Sequence, residues 1–149
     1  MYKYSNNIQV LGHNKTMENK YRKTQTTVSL INYHFVFCPR YRRKIFLIPN
    51  VEDRLNHIVK YICEDMDVKI IAMECDKDHV HMFLNCLPIL SPTDIMQKIK
   101  GVSSRVLRDE FVELNKMPSL WTRSFFISTA LNVSSETVKK YVEQQRTRY

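Results

Sequence analysis

The chain has 149 residues, enough for about one domain with a sizeable hydrophobic core. Hydrophobic residues make up 44% of it and charged residues 26%, which predicts a folded protein and excludes a disordered one. The formal net charge of +8 favours a polyanionic partner, nucleic acid first, although charge alone does not separate this from ordinary basic solubility. No apolar run could cross a bilayer, and MYKYSNNIQV has no apolar signal segment, so we expect a cytoplasmic protein with no membrane partner.

Cysteine and glycine usage narrows the possible chemistry. The four cysteines stand apart and form no CxxC pair, so a zinc knuckle or a redox motif is not expected. We expect reduced thiols that are mostly buried. With only two glycines in the chain, glycine-rich phosphate loops such as GxxxxGK[ST] are excluded.

The first half of the chain predicts an extension, a strand and a helix. Residues 1–24 are polar without a sustained period and are predicted to form an extension or flexible arm, followed by one domain over residues 25–149. TVSLINYHFVFCP is β-branched and aromatic, which predicts a strand ending at Pro39. Apolar residues then recur at helical spacing from Val51, and Asn50 is predicted to cap that helix.

The second half predicts a hairpin, a helix, a strand and a last helix. VKIIAMEC and HVHMFLNCL read as two strands joined by the polar turn CDKD. Ser91 and Pro92 mark a helix start, SFFISTAL reads as a fourth strand, and Ser134 or Ser135 is predicted to cap SSETVKKYVEQQRTR. The order βαββαβ predicts an α+β, ferredoxin-like fold: an antiparallel sheet with two helices on one face and an additional C-terminal helix.

Two histidines open the strand HVHMFLNCL. Since side chains alternate across a strand, His79 and His81 point to one face, while Val80 and Met82 point to the core. Two imidazoles one strand repeat apart can ligate a single metal ion. The alternative is one hydrogen-bonded histidine and one surface residue, and the pattern alone leaves both open. The further residues of metallo-β-lactamase-like (HxHxDH), histidine-triad (HΦHΦH) and zinc-deaminase (HxE…PCxxC) sites are missing.

The last helix places a tyrosine and a glutamine on one face. Tyr141 and Gln145 are four residues apart, hence one helical turn from each other. A glutamine amide oxygen can serve as a third metal ligand, with a tyrosine one turn away able to meet a metal-bound substrate. The alternative is that Val138, Tyr141, Val142 and Gln145 form an ordinary amphipathic stripe.

Together these segments resemble the HUH single-strand-specific endonucleases, in particular the single-tyrosine transposases of small insertion sequences. The resemblance runs from about residue 27 to the C-terminus and includes NYHFVFCPRYRRKIF, DHVHMF, KIKGVSSR and WTRSFFISTALNVSSETVKKYVEQQ. It implies that His79, His81 and Gln145 hold one divalent ion, Mg²⁺ or Mn²⁺, and that Tyr141 is the nucleophile. The implied activity is cleavage and rejoining of single-stranded DNA through a covalent 5′-phosphotyrosine.

The resemblance also implies the partners. The family acts on imperfect hairpins in single-stranded DNA, and candidate backbone contacts are Arg40, Arg42, Arg43, Lys98, Arg105 and Arg108. Each of these could instead belong to a solvated charged face. Aromatic residues that could stack on bases, or equally lie in the core, are Tyr33, Tyr41 and Trp121. A homodimer with shared active sites is implied, although Leu131 stands where a hinge glycine is expected.

Two alternative functions remain on the same fold. A domesticated relative would process genomic palindromes without moving itself, and a binding-only regulator would have lost the chemistry. The presence of His79, His81, Tyr141 and Gln145 argues against the regulator.

Overall fold

The computed structural model describes residues 21–129 and 135–145. Its strands are β1 Arg22–Lys23, β2 Val28–Ser29, β3 Ile31–Phe37, β4 Lys69–Asp76, β5 His79–Cys86 and β6 Phe126–Ser128. Its α-helices are α1 Val51–Asp65, α2 Pro92–Glu110, α3 Val112–Asn115 and α4 Ser135–Gln144, and short 3₁₀ turns span Arg40–Arg42 and Ile45–Leu47.

Four strands form an antiparallel sheet in the order β4-β5-β3-β6. The chain-order elements β3, α1, β4, β5, α2 and β6 therefore give the ferredoxin-like arrangement, and the predicted α+β fold is confirmed. The first predicted strand is divided at Leu30, with β2 pairing with β1 in a separate two-stranded ribbon. The fourth is shorter than predicted within the described residues, since it begins only at Phe126.

Arg22 and Lys23, which the sequence placed in the polar extension, belong to this ribbon. The Arg22 side chain is buried, and its guanidinium donates to the Asn85 side chain at 3.0 Å and to the Asp67 carbonyl at 2.8 Å. These long-range bonds attach the ribbon to the main sheet. Residues 1–20 of the predicted extension lie outside the described residues.

The two long helices begin differently. At α2 the Ser91 hydroxyl accepts the backbone N–H of Asp94 at 3.0 Å, with Pro92 in the first turn, as predicted. At α1 the predicted side-chain cap is wrong: Asn50 adopts a left-handed conformation with φ 71° and makes no capping side-chain bond. Asparagine tolerates this conformation better than most residues, so here it turns the chain into the helix.

Helices α1 and α2 cover one face of the sheet and enclose the main core. The core side of β5 is formed by Val80, Met82, Leu84 and Cys86, which pack with apolar residues of both helices. A smaller cluster lies on the opposite face, where Val138 and Val142 of α4 pack against Val36 and Cys38. Helix α4 thus lies on the same face as the two histidines.

The cysteines of the chain all lie within the described residues. Cys38, Cys63 and Cys86 are buried free thiols and Cys75 is partly buried, in agreement with the expectation from sequence. Within the described residues, no helix has the length and apolar character that crossing a membrane requires.

Candidate active site

The two histidines of β5 face each other within the folded chain. Because they are two residues apart on a strand, their side chains leave the same face of the sheet. Their ring centroids are 4.8 Å apart with planes inclined at 65°, and their exposed fractions are 4% for His79 and 1% for His81. The alternative of one surface histidine is therefore wrong for this fold. Both rings are close enough to bind a common ligand.

The His79 ring is oriented by a carboxylate that sequence reasoning did not identify. Its Nδ1 lies 2.9 Å from Oδ1 of Asp78, whose Oδ2 accepts from Nε and Nη2 of Arg42 at 3.1 and 2.9 Å. Burial raises the pKa of Asp78, but the hydrogen bonds from His79 and Arg42 outweigh it and hold the pKa below its usual value. An ionised carboxylate can only accept, so the His79 proton belongs on Nδ1 and the lone pair on Nε2.

A third histidine, His34 on β3, lies beside His81. The Nε2 atom of His34 is 3.4 Å from Nδ1 of His81, and the rings stack with centroids 5.7 Å apart. Burial lowers the pKa of His81 to about 3, with the nearby imidazoles His79 and His34 adding to the shift. Burial also lowers the pKa of His34. Both rings are therefore neutral at physiological pH, the form in which an imidazole ligates a metal.

Tyr141 of helix α4, and Gln145 directly after it, contact residues at and just before the start of β6. The Tyr141 ring packs on Phe126 with centroids 5.7 Å apart, and its hydroxyl is 3.2 Å from the Ser124 hydroxyl. The same serine donates to Oε1 of Gln145 at 2.9 Å, while Nε2 of Gln145 donates to the Tyr141 carbonyl at 3.1 Å. Gln145 is fully buried, so its amide orientation is set on both sides.

The strand register relates this helix to the histidines. Val36 of β3 pairs with His81 on one side and with Phe126 on the other. Neighbouring strands are about 4.8 Å apart, so Phe126 lies about 10 Å from His81 across the sheet, backbone to backbone. Tyr141 is thus seated two strands away from His81, over the same face.

Ser124 marks the place where both side chains of the last helix meet the sheet. It lies two residues before Phe126, and its hydroxyl contacts both the Tyr141 hydroxyl and the Gln145 amide oxygen. Strands β5 and β6 run in the same direction because both are antiparallel to β3. Tyr141 and Gln145 therefore lie together at the β6 edge of the histidine face, separated from His79 and His81 by β3.

The donor set fits a divalent ion only if an amide takes part. Across residues 21–129 and 135–145, no group of three or more His, Cys, Asp or Glu side chains could hold a metal. His79 and His81 would supply two nitrogen donors. The Gln145 amide oxygen is buried on the same face but accepts from Ser124 beside β6, so it would have to move across β3 to supply an oxygen donor. Such a set is compatible with Mg²⁺ or Mn²⁺ as well as softer ions.

The six candidate DNA-contacting residues divide into two groups. The Arg42 guanidinium is bound to Asp78, and that of Arg108 donates to the carbonyls of Met117 and Pro118 at 3.1 and 3.0 Å. Both guanidinium groups therefore bond to acceptors within the protein. Arg40 is partly buried. The exposed members of the set are Arg43, Lys98 and Arg105.

The exposed cations do not all surround the histidines. Lys98 and Arg105 line a shallow groove of about 330 Å³ along the outer side of α2. Because α2 covers the core face of the sheet, this groove lies on the side of the molecule opposite to the histidines. Arg43 follows the turn whose Arg42 contacts Asp78, and so lies near them.

The three candidate base-stacking aromatics also separate. Trp121 is a core residue, 5% exposed, and its indole N–H donates to the Ser103 hydroxyl at 2.9 Å. Tyr33 is partly buried against the main core. Tyr41 is 49% exposed and holds a left-handed conformation with φ 58°, so it is the one of the three available to a base.

A partly buried lysine, Lys100, supports the serine that contacts α4. The Lys100 ammonium donates to the backbone carbonyls of Thr122 and Ser124 at 2.5 and 3.1 Å. Burial lowers its pKa to about 8. Sequence reasoning identified neither Lys100 nor Ser124, because the contacts of both depend on the packing of α2 against the segment before β6. Leu131, the predicted hinge departure, lies outside the described residues.

Known proteins similar to this chain support the resemblance. The family model described as IS200-like transposase matches residues 27–145. The transposase for insertion sequence element IS200 of Salmonella typhimurium (strain LT2) is 31% identical over 116 residues, covering 76% of this chain and 75% of that protein. The ISDra2 transposase TnpA of Deinococcus radiodurans is 29% identical over 127 residues, covering 83% and 90%.

Two solved structures share the fold. A Deinococcus radiodurans R1 protein proposed to be a transposase has a TM-score of 0.73 and 27% identity, over 83% of this chain and 97% of that one. The structure of a REP-associated tyrosine transposase bound to a REP hairpin has a TM-score of 0.54 over 82% of this chain and 68% of that one. Its identity is 14%, so that likeness shows the shared fold alone.

Proposed function

The chain belongs to the family of IS200-like transposases, and from this premise we propose that it cleaves and rejoins single-stranded DNA through a covalent bond to Tyr141. The observation that carries the proposal is that Tyr141 and Gln145 lie on the same sheet face as His79 and His81. A phenol near a site able to hold a divalent ion is the arrangement that attack on a phosphodiester needs.

The residues would divide the chemistry as follows. His79 and His81 would bind a divalent ion, Mg²⁺ or Mn²⁺, through ring nitrogens, and Gln145 through its amide oxygen. The bound ion would neutralise the phosphate charge and orient the scissile group. The Tyr141 phenol loses its proton and its oxygen attacks phosphorus, the bond to the 3′ oxygen breaks, and that oxygen takes up a proton and leaves as a 3′-hydroxyl. A 3′-hydroxyl from another strand then attacks the 5′-phosphotyrosine, forming a new phosphodiester and releasing the phenol.

A DNA hairpin is the proposed substrate. The REP-associated transposase of similar fold is bound to a REP hairpin. We propose that this chain likewise binds an imperfect hairpin in single-stranded DNA. The net charge of +8 and the exposed side chain of Arg43, near the histidines, support a polyanionic ligand.

The test is formation of a protein–DNA adduct that resists denaturation. Single-stranded DNA carrying the hairpins that flank the gene, incubated with Mg²⁺ or Mn²⁺, should give the adduct, and EDTA added before the DNA should prevent its formation. Tyr141→Phe should form no adduct while still binding the hairpin, whereas Tyr61→Phe, at an exposed tyrosine of α1, should behave as the parent. An adduct in the Tyr141→Phe variant would overturn the proposal.

We further propose a homodimer in which α4 can complete the partner's site. Mixed dimers of Tyr141→Phe and His81→Ala subunits distinguish the two arrangements. If the tyrosine acts on the partner's histidines, one site of each mixed dimer is intact and cleavage returns. If it acts within its own subunit, both sites lack one group and no cleavage is expected.

The two alternative functions have their own outcomes. A domesticated palindrome-processing nuclease would cleave hairpins found across the genome, with no matching hairpins on either side of the gene. A binding-only regulator would bind hairpins and cleave none with Mg²⁺, Mn²⁺ or Co²⁺. The buried histidine pair, with His79 oriented by a carboxylate, favours the enzyme over the regulator.

A further inference from the structure

We propose that Asp78 is a positioning residue for the metal-binding histidine His79, held in place by Arg42, so that Arg42 builds the active site rather than contacting DNA. This inference rests on the proposed function, because it concerns the histidine pair assigned there to a divalent ion. It changes the role of one residue that the sequence placed among the DNA contacts.

The geometry of the three residues forms one chain of hydrogen bonds. Oδ1 of Asp78 faces Nδ1 of His79 at 2.9 Å, and Oδ2 accepts both Nε and Nη2 of Arg42 at 3.1 and 2.9 Å. Each carboxylate oxygen therefore has its own partner, and the paired donors of Arg42 fix the plane of the carboxylate. The imidazole can then keep its proton on Nδ1 and present Nε2 to a ligand.

Burial keeps water from weakening the hydrogen bond between Asp78 and His79. Asp78 is 4% exposed and His79 is 4% exposed, so water does not compete strongly for either group. A buried carboxylate requires a cation, and the Arg42 side chain, only 15% exposed, supplies it. An arginine so placed has its donors directed into the protein and cannot simultaneously grip a phosphate with the same edge.

The backbone at Arg42 and the residue before it adopts an uncommon conformation beside this contact. Tyr41 and Arg42 are consecutive non-glycine residues in the left-handed region, with φ 58° and 51°. Such conformations persist only where surrounding contacts hold them. Here the Arg42 N–H donates to the Pro39 carbonyl at 3.0 Å, the Arg40 N–H donates to the Leu120 carbonyl at 2.8 Å, and the Arg42 side chain reaches Asp78 across 36 residues of sequence.

A purely structural ion pair is the competing explanation, and the tautomer of His79 separates the two. In the metal-free wild-type protein, ¹⁵N NMR of the imidazole should show the proton on Nδ1 of His79. In Asp78→Asn, which keeps the size but removes the charge, the two tautomers should become mixed. A structural ion pair would leave the tautomer unchanged. A wild-type His79 with its proton on Nε2 would overturn the proposal without any variant.

Metal affinity provides the second measurement. Titration of the full chain with Mn²⁺, followed by calorimetry or electron paramagnetic resonance, should show 10- to 100-fold weaker binding for Asp78→Asn. Arg42→Gln should weaken binding in the same direction, and Arg42→Lys, which keeps the charge, should restore part of it. The control Asp76→Asn, at an exposed carboxylate of the same hairpin, should stay within about twofold of the wild type.

The outcomes separate this inference from the proposed function. If the wild type binds no Mn²⁺, the metal site of the proposed function fails. If the wild type binds Mn²⁺ and Asp78→Asn binds equally well with an unchanged tautomer, the positioning role fails while the proposed function stands. Circular dichroism of each variant, compared with the wild type, verifies that the fold is kept.

Discussion

Replacing Ser124 by alanine should loosen helix α4 from the sheet. One hydroxyl contacts both functional side chains of that helix, lying 3.2 Å from the Tyr141 oxygen and donating to Oε1 of Gln145 at 2.9 Å. Alanine removes both hydrogen bonds without adding volume. The apolar contacts of Val138 and Val142 with Val36 and Cys38 would remain.

The size of the effect follows from the burial of Gln145. Its amide is fully buried, so loss of the serine donor leaves a desolvated oxygen, at a cost of about 1–3 kcal/mol. The bond to Tyr141 is longer and partly exposed, and would add on the order of 0.5 kcal/mol. A total of about 2 kcal/mol corresponds to roughly a 30-fold change in the equilibrium between docked and undocked α4.

Hydrogen exchange measured by mass spectrometry tests this directly. Peptides covering residues 135–145 should exchange about 30-fold faster in Ser124→Ala, while peptides of α1 and β5 should be unchanged. Thr129→Ala, at an exposed position just after β6, is the matched control and should leave α4 as in the wild type. Exchange of α4 within twofold of the wild type would show that Ser124 does not hold the helix.

Two further predictions concern pH and salt. The pKa of His81 is about 3 in the folded chain against 6.5 unfolded, so below pH 6.5 the unfolded state binds the extra proton and stability falls with falling pH. Urea unfolding of the metal-free protein should lose about 2 kcal/mol between pH 7 and pH 5 from this residue. His81→Asn should remove that loss, exposed His57→Gln should not, and equal profiles for all three proteins would contradict the assignment. In hairpin binding, Arg43→Gln should reduce the slope of log affinity against log salt by about 0.7, the value for one phosphate contact on a single strand. Arg108→Gln should instead lower stability with the slope unchanged, because its guanidinium binds the Met117 and Pro118 carbonyls.

Local sequence signals predicted those features that depend on a few neighbouring residues. The alternation in HVHMFLNCL placed His79 and His81 opposite Val80 and Met82, as the structure shows. The Ser91 cap was also correct, since it requires only that a hydroxyl precede a backbone N–H by three residues. The Asn50 cap was wrong although the residue type was suitable, because the backbone there turns through a left-handed conformation that directs the side chain elsewhere.

The roles of the basic residues could not be predicted from their neighbours in the sequence. Arg42 and Arg43 are adjacent and chemically alike, yet one is bound to Asp78 and the other is exposed. The difference arises from the turn that brings Arg42 to a residue 36 positions later. Likewise, nothing near Ser124 in sequence indicates a contact with Gln145, 21 residues away.

The sequence by itself determined the order of elements and the pairing of functional residues within each one, since strand and helix periods are properties of the local chain. Only the tertiary structure decided how those pairs meet. The β5-β3-β6 register and the packing of Val138 and Val142 place α4 two strands from His81, with Ser124 between its two functional side chains. The physical reason is that long-range pairing depends on the sum of many weak contacts, so no single residue indicates which residue it will contact across the sheet.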